Sequence, residues 1–427
     1  MKELLDVYQQ QAASRLSLTP WLAHLQEEAM ADFTRMGFPT RHCEDWKYTT
    51  TDTFLKETFS TKPASLNDAS LFDSKWRAGF EHAIPDVVMN NGQQSIAEAL
   101  KKKLPAGVLV LSLSDAILLH ADKIKPYLNQ ITEQKHAFQA LNTAMLQNGV
   151  FIYVPKNVCI EAPIYLANWQ DKAHQAVYLR HVVVAEEGSS CTVIDDYQGE
   201  EKAVYFTNTL TEIHLAPRAN VTHYKLQCES KLAYHTGHLA LKQMAGSQFN
   251  SHSFSVGGKW VRSDIAIALS EPRAHCFMNG VYAPGEGQHV DHHTVVHHQA
   301  PDCTSAQDYK GILSGHSRAV FNGSVIVAKD AQHTEAKQQN KNLLLSKNSE
   351  IDTKPQLEIF ADDVICTHGA TVGQLDEDAL FYLATRGIER PDAMRYLVQA
   401  FAVENLRSVT HEGLKDWVAT LLNQQVG

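Results

Sequence analysis

The sequence predicts a mainly β protein built on a β-helix, a solenoid of stacked coils set between two helical regions. Three observations carry this. Helical periodicity occupies residues 1–150, vanishes from 151 to 373, and returns over 374–427. Turn-forming residues punctuate the middle stretch at Gly188, Pro217, Gly246, Pro272, Gly287, Pro301, Gly315 and Asp330, at intervals of 29, 29, 26, 15, 14, 14 and 15. Further breaks near Gly199, Ser230 and Gly257 divide the long intervals. The step is therefore about 14 residues, or a doublet of about 28, within the range that marks solenoids.

The elements follow in chain order. Leu4, Leu5, Tyr8, Ala12 and Leu16 recur at helical spacing, and Trp21, Leu22, Leu25 and Met30 mark a second helix. The run "EQKHAFQALNTAMLQNGVFIYVP" reads as a helix stopped by Gly149 and followed by a strand. Beyond it, "THYKLQC" puts Tyr224, Leu226 and Cys228 on one face and His223, Lys225 and Gln227 on the other. That alternation predicts a half-buried strand. A β-sandwich of hairpins is the competing architecture, but hairpins call for Asn-Gly or Asp-Gly between strands. Here Asn279-Gly280 and Asn322-Gly323 sit inside apolar runs, which favours the coil. After Gly373, "QLDEDALFYLATRGIERP" has acids in its first turn and Arg386-Gly387 at its end, the signature of a short helix. Pro391 opens the next helix, with Met394, Leu397, Val398, Phe401 and Leu406 on its stripe. Leu414, Trp417, Val418, Leu421 and Leu422 mark the last one.

Composition narrows the function. The chain has 427 residues, 44% of them hydrophobic, and a formal charge of −10, which argues against a nucleic-acid-binding surface. No apolar run is long enough to span a membrane, and the N-terminus reads as an amphipathic helix rather than a signal peptide. Seven scattered cysteines with no C-x-x-C pair fit a reducing compartment, and a cytoplasmic location is expected. The absence of G-x-x-x-x-G-K-[ST] excludes nucleotide binding by a P-loop, and neither G-x-S-x-G nor H-E-x-x-H occurs.

Three segments are candidates for chemistry. In "ADDVICTHGATVGQ", a strand over Val364–His368 would aim Cys366 and His368 to one face. Thiolate and imidazole suit iron, zinc or copper. Two ligands leave such a site incomplete, and the alternative is a buried cysteine acting as a small hydrophobe beside a satisfied histidine. The second segment, "GQHVDHHTVVHHQAPDC", lies in a region holding about half of the 22 histidines. On a strand, Asp291, His293 and His297 share one face while His292 and His298 share the other. At about 3.3 Å per residue, Asp291 and His297 lie about 20 Å apart, too far to share an ion. A histidine-rich exposed or interface face is therefore expected. The third, "FPTRHCEDWKYTT", mixes Arg41, Glu44 and Lys47 with Trp46 and Tyr48, as in a loop that pins two regions of a chain together or meets a partner, and docking within the chain is the favoured reading.

Two of these segments, with their surroundings, resemble one family. "PTRHCEDWKYT" is similar to the P-[TS]-R-x-x-E-x-W-K-Y-T signature of the SufD branch of the SufB/SufD family. The run from "YKGILSGHSRAVFNGS" through "ADDVICTHGATVGQLDEDALFYLATRGI" resembles the core shared by both branches. The resemblance implies a right-handed parallel β-helix and a scaffold role, without catalysis, in iron–sulfur cluster assembly. It implies pairing with a SufB paralogue through the β-helix, and docking of a SufC ATPase through the C-terminal helices, at Leu380, Phe381, Tyr382, Arg386, Leu397 and Phe401. It also implies that His368, with Cys366 secondary, helps to bind iron or a transient iron–sulfur cluster shared with SufB, this chain itself binding no nucleotide. The family assigns no role to Cys43 or to the 289–298 histidines. Two alternatives remain open: a β-helix enzyme with a histidine-rich metal site, and a SufB-like homodimeric scaffold.

Overall fold

A computed structural model describes residues 2–14, 17–61, 85–132 and 136–426; Leu16 and residues 133–135 of the segments read above lie outside these. The chain forms a parallel β-solenoid of about 8 turns with helices at its N- and C-terminal ends. Successive strands alternate between a ten-stranded and a nine-stranded sheet, so each strand pairs with those one coil before and one coil after. Strand Tyr234–Gln243, for instance, lies between Phe206–Leu215 and Trp260–Leu269, with Tyr234 opposite Phe206 on one side and Trp260 on the other.

The punctuation seen in the sequence is the stack of turns. Gly188, Gly246, Gly287 and Gly315 have positive φ, as do Arg218, Arg273 and Asp302, each directly after one of the turn prolines. Proline presets one turn residue and the next takes the left-handed conformation. Turns of neighbouring coils also bond to one another: the Gly188 and Gly246 amides donate to the Pro217 and Pro272 carbonyl oxygens, both at 3.0 Å. Asn279-Gly280 and Asn322-Gly323 do lie inside strands, at His275–Tyr282 and Arg318–Val327. A Cβ at Gly280 would fall 2.2 Å from the Tyr309 ring, and one at Gly323 2.2 Å from the Gln338 amide. These glycines make room in the lumen and turn no corner.

Two readings need correction. The helix before Gly149 already ends at Ala144. Gly149 serves the next coil instead, because a Cβ there would lie 1.6 Å from the Arg180 carbonyl oxygen. The "THYKLQC" strand is not half-buried either. His223 and Gln227 are buried inside the solenoid, while Tyr224 and Leu226 pack against the C-terminal helix residues Val398, Ala402 and Leu406.

Each sheet thus carries a cover on its outside. Over the nine-stranded sheet lies an aromatic cluster from the N-terminal region, with Phe38, Trp46, Phe54 and Phe138 packed on Tyr178, Phe206, Tyr234 and Trp260. Helices Arg390–Leu406 and Glu412–Val426 cover the ten-stranded sheet. The first coil is closed by antiparallel strands: Gln93–Ile96 on Val87–Asn90, and Leu109–Ser112 on Val150–Val154. The last strands, Glu350–Ile359 and Val364–Gln374, end their sheets with no further strand beyond them among the described residues.

Candidate functional site

Among the described residues, strand Val364–Gln374 pairs only with Thr334–Leu344, putting Cys366 opposite Ala336 and His368 opposite Gln338. Val364 and Cys366 share a small apolar cluster with Val325, Ala336 and Ala361, which leaves Cys366 partly covered. That burial pushes its thiol up from the ordinary value, with the Ala336 backbone bond opposing it. His368 is exposed. Beneath it, Gln338 is fully buried and its side-chain amide donates 3.3 Å to the Gln307 side-chain Oε1. Cys366 and His368 therefore do lie two residues apart on one strand, at the open end of the solenoid. Around them Ile365, Phe360 and Val372 are exposed. Gly369 and Gly373 face open space: a Cβ at either would meet nothing within 4 Å, and neither has a positive φ. Nothing among the described residues requires glycine there.

The histidine cluster is not the exposed or interface face that alternation predicts. His292 and His298 are buried in the lumen, where burial lowers them to about 3 and about 4. His298 Nε2 lies 2.8 Å from the Ser305 hydroxyl. His289, Asp291 and His293 face outward but lie beneath the N-terminal cover. Thr49 donates to Asp291, and its hydroxyl is 2.9 Å from His289 Nε2. Arg262 donates 2.7 Å to Asp291 and 2.8 Å to the Asp45 carbonyl, and its guanidinium lies 4.5 Å from the Trp46 ring centre. Burial alone would raise the Asp291 carboxyl, yet Arg262 holds it well below the carboxylate range. The cluster is a buried joint between the Trp-Lys-Tyr-Thr segment and the solenoid, as expected of that segment itself. Among the described residues, no group of three or more His, Cys, Asp or Glu side chains is placed to hold a metal ion.

The residues expected at a docking face divide. Phe381 and Tyr382 are 71% and 58% exposed on helix Glu377–Thr385, and the Arg386 guanidinium lies 5.3 Å from the Tyr382 ring centre. Leu380 is buried and Leu397 half-buried, while Phe401 packs inward beside Lys310. Tyr396, exposed on the next helix, joins the outward aromatic set. Its place opposite the Val398–Ala402 stripe was the available signal, and reading only the apolar stripe misses it.

The comparisons with known proteins agree with one another. The family model for the SUF system FeS cluster assembly SufBD core domain matches residues 167–401, and the SufBD protein N-terminal region matches 1–166. The iron-sulfur cluster assembly protein SufD of Escherichia coli is 31% identical over 408 residues, covering 94% of this chain and 92% of that protein. Protein ABCI7, chloroplastic, of Arabidopsis thaliana is 28% identical, covering 95% and 86%. SufD of Bacillus subtilis is 24% identical, covering 95% and 94%. With two matching domains end to end, the chain belongs to the SufBD family and is a SufD-type iron–sulfur cluster assembly protein.

Proposed function

We propose that the chain is a non-catalytic scaffold subunit that completes its open coil with a SufB paralogue and shares a nascent iron–sulfur cluster, or its iron, across that junction. The observation that carries this is the last strand itself: an unpaired edge, exposed Ile365 and Val372, and Cys366 and His368 side by side with too few neighbours to close a site. Strand edges recruit strands, and an exposed apolar edge is a docking surface. Imidazole and thiolate are both iron ligands, and iron binding displaces the thiol proton that burial retains on Cys366. The missing ligands come from the partner.

The exposed Phe381, Tyr382 and Tyr396 form the face on which a SufC-type ATPase docks. ATP hydrolysis and sulfur mobilisation then belong to partners, in the cytoplasm. No helix of the described residues is long and apolar enough to cross a membrane.

The test is His368→Ala in the reconstituted three-component complex. The complex is expected to stay intact by size-exclusion chromatography while bound iron and sulfide fall at least severalfold. Wild-type cluster loading in an intact complex would overturn the ligand role.

A further inference from the structure

Strand Thr334–Leu344 carries three buried amide side chains on its lumen face, Gln338, Asn340 and Asn342. In register they lie opposite His368, Ala370 and Val372 of the last strand. The two amides opposite apolar residues are satisfied within the chain. Asn340 donates 3.0 Å to the Tyr282 hydroxyl and 3.2 Å to the Tyr309 carbonyl, and its oxygen accepts from Asn342 at 2.6 Å and from Thr353 at 2.9 Å. The Asn342 oxygen accepts 2.6 Å from the Tyr282 hydroxyl. Gln338 differs. Among the described residues no donor reaches its side-chain oxygen, although the residue is fully buried.

Its amide is nevertheless held in one orientation. Thr294 donates 2.7 Å to Gln307 Oε1, and Gln338 Nε2 donates 3.3 Å to the same atom. Reversing the Gln338 amide would set two carbonyl oxygens against each other. Nε2 also sits against the Gly323 backbone, where a Cβ would approach it to 2.2 Å. With the nitrogen turned to the preceding coil, the oxygen is left for the strand that follows. The residue opposite it there is His368, which is exposed and whose ring makes no hydrogen bond among the described residues. A buried acceptor without a donor is costly, and an imidazole N–H is a suitable donor one strand away. Histidines that bind metals ordinarily give their second ring N–H to an oxygen, which fixes the ring and frees the other nitrogen.

We propose that Gln338 is a positioning residue for His368: when a partner caps the open coil, Gln338 Oε1 accepts one ring N–H of His368, and the other ring nitrogen faces the iron with its lone pair free. The inference rests on the ligand role proposed above for His368. It makes the buried row Thr294, Gln307 and Gln338 part of the site, although none of the three touches iron.

The test uses the reconstituted three-component complex with wild type, Gln338→Met, Gln338→Glu or His368→Ala. Affinity for iron(II) is read by anaerobic titration. Before iron is added, the ring-nitrogen NMR spectrum of this chain labelled at histidine is recorded, the His368 signals being those that His368→Ala removes. Wild type is expected to hold His368 in a single tautomer. Gln338→Met fills the space but offers no such acceptor. It weakens iron binding by about 10–100-fold and gives His368 the mixed tautomers of a solvated imidazole, in an intact complex. Gln338→Glu keeps an acceptor and restores both. Wild-type affinity in Gln338→Met, beside lost iron in His368→Ala, overturns the positioning role and leaves the ligand role standing. Weaker binding with an unchanged His368 spectrum also overturns it, because that is the mark of a structural role alone. Wild-type iron binding in His368→Ala removes the ligand role and the positioning role together. If Gln338→Met does not fold, Gln307→Met decides instead. It leaves Gln338 in place but frees its amide to turn, so the single tautomer is lost there too, and a retained one overturns the proposal.

Discussion

The two ends of the solenoid receive opposite treatment from the same strand chemistry. At the first coil, antiparallel strands close both sheets, and Val87, Met89, Val110 and Ile152 are buried under them. At the last coil, strands of 10 and 11 residues stop with Ile359, Phe360, Ile365 and Val372 in solvent. A solenoid needs a polar cap at each terminus to remain monomeric. Among the described residues this one has a cap at one end and an open strand edge at the other, and the open edge is the face proposed above for a partner chain.

The sharpest way to break the contrast is to attack the closed, middle part. Arg262→Met leaves Asp291 charged, buried and without its guanidinium, and should cost about 3–5 kcal/mol in urea unfolding. A loss below about 1 kcal/mol would mean that the joint under Trp46 is already hydrated.

The next effect is on pH dependence. Burial holds His223, His252, His289 and His298 at about 4 and His292 at about 3, against 6.5 for an exposed imidazole. Groups lowered in this way contribute stability that is complete above pH 6.5 and is lost as pH falls toward 4, because the unfolded chain binds the protons first. His292→Phe removes one such group, so the slope of unfolding free energy against pH over that window should flatten by about 1.4 kcal/mol per unit. An unchanged slope would place the proton uptake elsewhere.

The smallest effect on stability belongs to the open end. Phe360→Ser should shift unfolding by no more than about 0.5 kcal/mol, because the ring is already in solvent. It should still weaken association with the paralogue, measured by titration calorimetry. A large loss of stability without loss of association would reverse the assignment of the two ends.

The turns were legible in the sequence because left-handed positions demand glycine or follow proline, and Gly188, Pro217, Gly246 and Pro272 leave that mark. The common strand of Cys366 and His368 was legible as well, since alternation alone puts two residues at that spacing on one face. The lumen was not. Alternation separates two faces but cannot tell a solvent face from a polar lumen, so His223, Gln227 and His292 read as exterior while their strands are buried on both sides. The same ambiguity hid the joint around Asp291, whose partners Thr49 and Arg262 are remote in sequence.

That remoteness sets an order of events during synthesis. Thr49 and Asp291 are separated by 242 residues, and Trp260 donates its indole hydrogen to Thr50 across 210. The aromatic segment around Trp46 leaves the ribosome long before the coils that receive it. At roughly 5–20 residues per second, Trp46, Phe54 and their neighbours wait roughly 10–50 s without their binding surface. The first-made part of the chain is thus among the last to settle. A growing chain of this kind exposes its most aromatic segment throughout the interval when chaperones have access to it.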